Sequence, residues 1–176
     1  MSRRPFALIA TVLIAIAAAG CGSSDNKSAT STSASASTTD TSQSTAAAPA
    51  TAKPRPKPKV KVPGGKPPKK LVIKDLIPGT GPAAKAGDAI TVNYIGVNFK
   101  GGAMFDNSYD RGQPFPFQLG GGQVIPGWDQ GLVGMKVGGR REITIPPNLA
   151  YGPQGQPPTI KPNETLVFVV DLLSIG

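Results

Sequence analysis

Residues 164–173, Glu-Thr-Leu-Val-Phe-Val-Val-Asp-Leu-Leu, admit few folds. In an extended chain Leu166, Phe168, Val170 and Leu172 fall on one side, and Val167, Val169 and Leu173 on the other. A strand that is apolar on both faces belongs at the centre of a sheet, with other elements above and below it. Three further segments have the period of strands. Leu71–Ile77 stops at Pro78-Gly79; residues 88–97 set Ile90, Val92 and Tyr94 against Thr91 and Asn93; residues 141–145 point Ile143 and Ile145 inward. One short helix is expected where Pro126 suits a first turn, Trp128 and Leu132 lie four apart on one face, and Gly134 supplies a left-handed stop. Four or more strands with one helix make an α+β domain. Its sheet is expected to be antiparallel, because no connection has room for repeated helical crossovers. At about 105 residues such a domain buries an adequate core without staples.

The chain before this domain differs in composition. Of the 19 Lys and Arg residues, only eight lie in residues 71–176, where they meet eight acidic residues, so the whole formal charge of +9 sits in the first 70 residues. A neutral domain offers no basic surplus for nucleic acid, and no nucleic-acid partner is expected. Arg3 and Arg4, an apolar run from Phe6 to Ala19, and Gly20-Cys21 have the three parts of an export signal over residues 1–20. The apolar run is shorter than the roughly 20 residues of a membrane span. Ala18-Ala19-Gly20-Cys21 resembles a bacterial lipobox, with Ala18 where Leu is usual, and implies lipidation of Cys21 as a membrane anchor outside the cytoplasm. Arg3-Arg4 leaves two export routes open, the ordinary one and the twin-arginine one. Residues 21–52, almost all Ser, Thr and Ala, bury too little to offset their ordering entropy and are expected to be a disordered tether. Residues 53–70, rich in Pro and Lys, are expected to be an extended linker, read either as a soluble spacer or as a binder of anionic lipid or wall polymer.

With no His and a single Cys at position 21, the chain has no Ser-His-Asp triad, no Cys-His pair and no imidazole or thiolate zinc site. No metal and no cofactor are expected. Asp106 and Asp110 are crowded by Asn107 and Arg111, which favours an ion-paired loop over a carboxylate pair for glycoside chemistry. The runs Gly101-Gly102 and Gly120-Gly121-Gly122 lack the Lys-Ser/Thr of a phosphate loop and read as turns. Between Tyr94 and Tyr151 what remains is aromatic: Tyr94, Phe99, Phe105, Tyr109, Phe115, Phe117, Trp128 and Tyr151. A site built from these residues is an apolar bowl with a few polar groups.

Taken in order, Tyr94-Ile95-Gly96, Phe105-Asp106-Asn107-Ser108, Pro114-Phe115-Pro116-Phe117 with Leu119-Gly120, Val124-Ile125-Pro126-Gly127-Trp128, Ala150-Tyr151-Gly152 and Thr165-Leu166-Val167-Phe168 resemble the FKBP-type peptidyl-prolyl isomerases. The resemblance covers residues 71–176. It implies a twisted antiparallel sheet of about five strands wrapped around one short helix, acting as a monomer on Xaa-Pro bonds of exported polypeptides. Carried onto this chain, it implies a pocket floor at Trp128 and walls at Tyr94, Phe105, Phe115, Val124, Ile125 and Phe168, under a loop containing Ile160. It implies that the Tyr151 hydroxyl and the Ile125 backbone N–H meet substrate carbonyls, that Asp106 orients Tyr94 and pairs with Arg111, and that a macrolide is a ligand. Gln156 and Thr159 depart from the family pattern, and the turn at Lys100-Gly101-Gly102 is about one residue longer than in compact members, which bears on substrate preference and macrolide affinity.

Each residue also has a plainer reading. Trp128, Phe105, Phe115 and Phe168 could be packed core, and Asp106 a structural salt bridge. Two other functions stay open: a module that holds a proline segment without turning it over, or a wall-binding tether capped by the domain.

Overall fold

The computed structural model describes residues 50–176; the export signal, Cys21 and the tether as far as residue 49 lie outside the described residues. The elements are β1 (Ala50–Thr51), β2 (Val72–Ile77), β3 (Ala89–Asn98), β4 (Met104–Asn107), β5 (Phe115–Gln118), α1 (Pro126–Gly131), β6 (Arg140–Ile145) and β7 (Leu166–Ile175). All strand pairs are antiparallel. The sheet runs β2-β6-β7-β3-β4, with β1 beside β7 and β5 beside β3. β3 occupies one edge of β7 along its whole length, so β1 must extend the lane of β6 at Ser174 and Ile175. In the same way β4 pairs with Ile95–Val97 and β5 with Ala89–Val92, sharing one lane beyond β3. The sheet therefore has seven strands where about five are expected; they fill five lanes, two of which are each made of two separate strands. β4, β5 and β1 were not read as strands because each is four residues or fewer and carries no alternation long enough to register.

β7 is the central strand, as its two apolar faces require. Its inner side, with Ile90, Val92, Ile143 and Ile145, packs on α1 through Trp128 and Leu132, all at most 4% exposed. Helix α1 begins with Pro126 at its first position and has no side-chain cap. Its far end is satisfied from the sheet instead: the buried Arg141 guanidinium donates to the Gly131 and Val133 carbonyls at 2.9 and 3.2 Å and pairs with Asp75. Gly127 lets the helix lie flat on β6, since a Cβ there would stand 2.3 Å from Ile145 Cγ2. The Asp129 carboxylate accepts from the Gly120 and Gly122 amides at 2.8 and 3.2 Å, tying the glycine turn to the helix.

The outer side of the sheet departs from expectation. Ala50–Thr51 is paired strand, and the Ala52 amide donates to the Leu173 carbonyl at 2.6 Å, so order begins before the tether was expected to end. Pairing stops there because Pro54, Pro56 and Pro58 have no N–H to give a ladder. The chain then crosses the outer side with Val60 and Val62 turned onto Ile95, Val97, Phe99 and Val167, while Lys59 and Lys61 face water. The Pro/Lys segment is expected to be an extended linker, spacer or binder, because its composition shows little to bury. Its Lys-Val-Lys-Val stretch nevertheless has the period of a one-sided strand, and an apolar sheet face was waiting for it. The basic residues of the linker therefore sit on the folded body, which is neutral only from residue 71 onward.

Candidate functional site

The aromatic residues divide by strand parity. On β3, Tyr94 faces inward and Ile95 outward; on β5, Phe117 is buried behind Phe115. Phe99 and Tyr109 belong to the outer side and take no part in the bowl. Around Trp128, which is 4% exposed, the rings stand edge to face. Tyr94 lies at 5.1 Å and 83°, Phe168 at 5.2 Å and 87°, and Phe115 at 6.3 Å and 75°. Phe105 meets Phe168 at 5.5 Å and 86°. Edge-to-face pairs each add about 0.5–1.5 kcal/mol beyond area burial.

These rings enclose an open cavity of about 840 Å³, completed by Asp106, Val124, Ile125 and Tyr151. Nine of the ten residues given substrate or catalytic roles therefore line one cavity, and Trp128 and Phe168 also pack in the core. Ile160 is the exception. It is 2% exposed and packs in the main core, so it supports the overhanging loop from below and does not line the cavity. Gln156, Pro157 and Thr159 of that loop face the cavity instead, and the Thr159 carbonyl accepts from Asn98 Nδ2 at 2.9 Å, fastening the loop to the end of β3. Gln123 and Pro126 also line it. Pro126 belongs to the motif Val124-Ile125-Pro126-Gly127-Trp128, whereas the only signal for Gln123 is its place beside Val124.

The rim is polar and ionic. The Tyr94 hydroxyl donates to Asp106 Oδ2 at 2.5 Å and receives Arg111 Nη2 at 2.7 Å, and Arg111 Nη1 also binds Asp106 Oδ1. Arg111 stands 5.6 Å over the Tyr94 ring. Burial alone would raise the Asp106 carboxyl, but the hydrogen bonds from Tyr94 and Arg111 outweigh it and hold it below the usual carboxylate range. Burial, then the Asp106 charge, raises the Tyr151 phenol; burial and the bond to Asp106 raise that of Tyr94. The Tyr151 hydroxyl and the Ile125 N–H have no hydrogen-bond partner among the described residues. Both are donors at the cavity, and the buried Trp128 indole N–H is a third polar group without a partner. Of the three only the Trp128 N–H is fully buried; Tyr151 is 36% exposed and Ile125 half-buried.

A five-lane antiparallel sheet curls on one short helix, with an aromatic box between them. Residues 81–173 match the family model of the FKBP-type peptidyl-prolyl cis-trans isomerase, and the chain belongs to that family. It is 57% identical over 114 residues to a FK506-binding protein of Streptomyces anulatus, covering 64% of this chain and 92% of the relative. It is 50% identical over 113 residues to a probable FK506-binding protein of Corynebacterium glutamicum, covering 64% and 93%. Among solved structures, AtFKBP13 superimposes with a TM-score of 0.58 at 38% identity over 62% of this chain and 95% of that one. FkpA of Escherichia coli does so with a TM-score of 0.55 at 50% identity over 60% of this chain and 47% of that one.

The charge states predict a flat pH profile. Asp106 is lowered, Tyr94 and Tyr151 are raised, and the chain has no His. No cavity group then titrates between about pH 5 and 9. kcat/KM measured across that window is expected to stay constant, and a bell or step would place an unrecognised titrating group in the site. Because the folded Asp106 is depressed, its contribution to stability is present above the unfolded carboxylate pKa. It is lost only as pH falls through the lower folded value.

Proposed function

We propose that this chain isomerises Xaa-Pro bonds in exported polypeptides from a lipid anchor at Cys21, outside the cytoplasm of a bacterium, and works as a monomer. The aromatic box with Tyr151 and Asp106 at its rim is the observation that carries the catalytic part. Residues 1–21 support the export part by their pattern alone. The names of the two bacterial relatives support a macrolide as a second ligand of the same cavity.

The reaction breaks amide resonance and makes no bond to the protein, across a barrier of about 18–20 kcal/mol. A planar amide is strongly dipolar, and the twisted amide has lost much of that charge separation. An apolar cavity therefore favours the twisted state over the planar one, and differential stabilisation of this kind lowers the barrier. The prolyl ring rests on Trp128 between Tyr94, Phe105 and Phe168. The Ile125 N–H and Tyr151 hydroxyl hold flanking carbonyls, so that rotation is confined to one bond. Arg111 and Asp106 keep Tyr94 in place against the ring.

Cis/trans relaxation of a short Xaa-Pro peptide by the full chain, with and without a macrolide of the FK506 type, tests this. Macrolide-sensitive acceleration is expected; macrolide binding without acceleration would make the chain a proline-segment binding module. Tyr151→Phe removes one hydrogen bond and should lower kcat/KM about three- to tenfold. Asp106→Val should do at least as much, because it also strands Arg111. If neither moved the rate, the assigned rim would be wrong. Labelled fatty acid should enter the parent chain and not Cys21→Ala.

A further inference from the structure

The outer side of the sheet is tied to the pocket rim through one short loop. Residues 107–111 run from the last residue of β4, next to Asp106, into the loop. Ser108 fixes the base of the loop to β3: its Oγ accepts from the Tyr94 amide at 2.9 Å and donates to Asn93 Oδ1 at 2.8 Å. Beyond it, the loop sends side chains to both sides. Arg111 reaches the pocket, binding Asp106 and Tyr94. Tyr109 and Asp110 reach the outer side. The Tyr109 hydroxyl donates to Asp171 Oδ2 at 2.8 Å, and Lys57 Nζ holds both Asp110 oxygens at 2.6 and 2.7 Å.

The segment that supplies Lys57 is itself held at several points. Asp171, 2% exposed, is gripped by two nitrogens of Arg140 at 2.6 and 2.7 Å, and Arg140 Nη2 also donates to the Pro56 carbonyl at 2.9 Å. Arg55 Nη2 donates to the Gly138 carbonyl at 2.6 Å. Val60, Val62 and Tyr109 together cover Ile95, Val97, Phe99 and Val167. An exposed ion pair such as Lys57–Asp110 is weak by itself. Here the apolar contacts and the prolines hold the segment down, and the ion pair sets where the loop stands against it. Proline-rich chain loses little freedom on docking, which suits it to this use.

We propose that residues 50–62 brace the catalytic rim from behind, with Lys57 and Tyr109 as positioning residues for Arg111 and Asp106; the proposal deepens the isomerase reading of the pocket and rests on it. None of these groups touches substrate. They act by limiting how far the 107–111 loop drifts, and small displacements of aligned groups cost rate steeply. A chain lacking the brace would still fold its sheet and keep its cavity, with a loosened Arg111–Asp106–Tyr94 cluster.

The test compares the full chain with Val60→Ser/Val62→Ser, Lys57→Asp, and Lys57→Asp combined with Asp110→Lys, all well below their melting temperatures. Two readouts are taken: kcat and KM on a short Xaa-Pro peptide, and amide hydrogen exchange of residues 107–111. The first two variants are expected to lower kcat/KM about three- to tenfold and to speed loop exchange, with the charge-swapped pair restoring both. Unchanged kcat/KM and loop exchange beside a lowered melting temperature would overturn the proposal and leave the segment a stabiliser only. Should the valine variant not fold, the charge series decides by the same criteria. An inactive parent chain would sink the isomerase reading; the brace would then stand or fall on loop exchange alone.

Discussion

Trp128→Ala is expected to lower the unfolding free energy by about 3–5 kcal/mol and to reduce kcat/KM at least tenfold at temperatures where the variant remains folded. Trp128 is the residue on which helix, sheet and cavity converge. Its ring meets Tyr94 at 5.1 Å, Phe168 at 5.2 Å and Phe117 at 5.6 Å, so truncation opens the core and removes the pocket floor together. Loss of this buried side chain falls within the ordinary range for a large core aromatic. Trp128→Phe separates the two roles. It keeps an aromatic floor and drops the N–H, so most activity should survive it. Denaturant unfolding beside steady-state kinetics reads both variants. Equal losses for Phe and Ala would mean that the N–H, rather than the aromatic surface, carries catalysis.

The second large effect is at Gly96 on β3, opposite Asp106 in β4 and Phe168 in β7. A Cβ there would stand 2.6 Å from Phe105 Cζ and 2.7 Å from Phe168 Cε1. Both rings are pocket walls, locked edge to face with each other, so neither yields without the other. Gly96→Ala is therefore expected to cost about 1–3 kcal/mol of stability, as overpacking does, and to lower kcat/KM roughly tenfold by driving the walls into the cavity. The loss should fall mainly on KM, because the site that receives the prolyl ring narrows. A variant with parent-like KM would show that the rings relax away from the cavity. Nothing in Tyr94-Ile95-Gly96 announces this, since the requirement comes from two side chains distant in the sequence.

How far the site could be read depended on the kind of residue. Phe105, Phe115, Val124, Ile125, Trp128 and Phe168 were legible because their order and spacing resemble the family's, and one cavity gathers all of them with Tyr94, Asp106 and Tyr151. Ile160 lies in the loop over the pocket but on the side away from the cavity. A loop that overhangs a pocket has a side toward it and a side away, and an apolar residue in such a loop is drawn to the core. Its neighbours Gln156 and Thr159, noticed only as departures, face the cavity. Periodicity located four strands and the helix within a residue or two. It passed over β4 and β5, which are too short to show a period and are strands only because β3 offers them an edge.

Alternation along the chain alone settles the central strand, the antiparallel α+β class and the inward face of each long strand. These follow from local pattern and residue type, because side-chain alternation holds whatever the chain packs against. Tertiary structure decided what covers the outer face, which rings belong to the pocket and which to the far side, and that Lys57 meets Asp110 across 53 positions of sequence. Such contacts depend on an apolar face left open by the rest of the fold. A segment of Pro and Lys carries too little apolar surface to reveal a destination of its own, and it becomes ordered only because that face already exists.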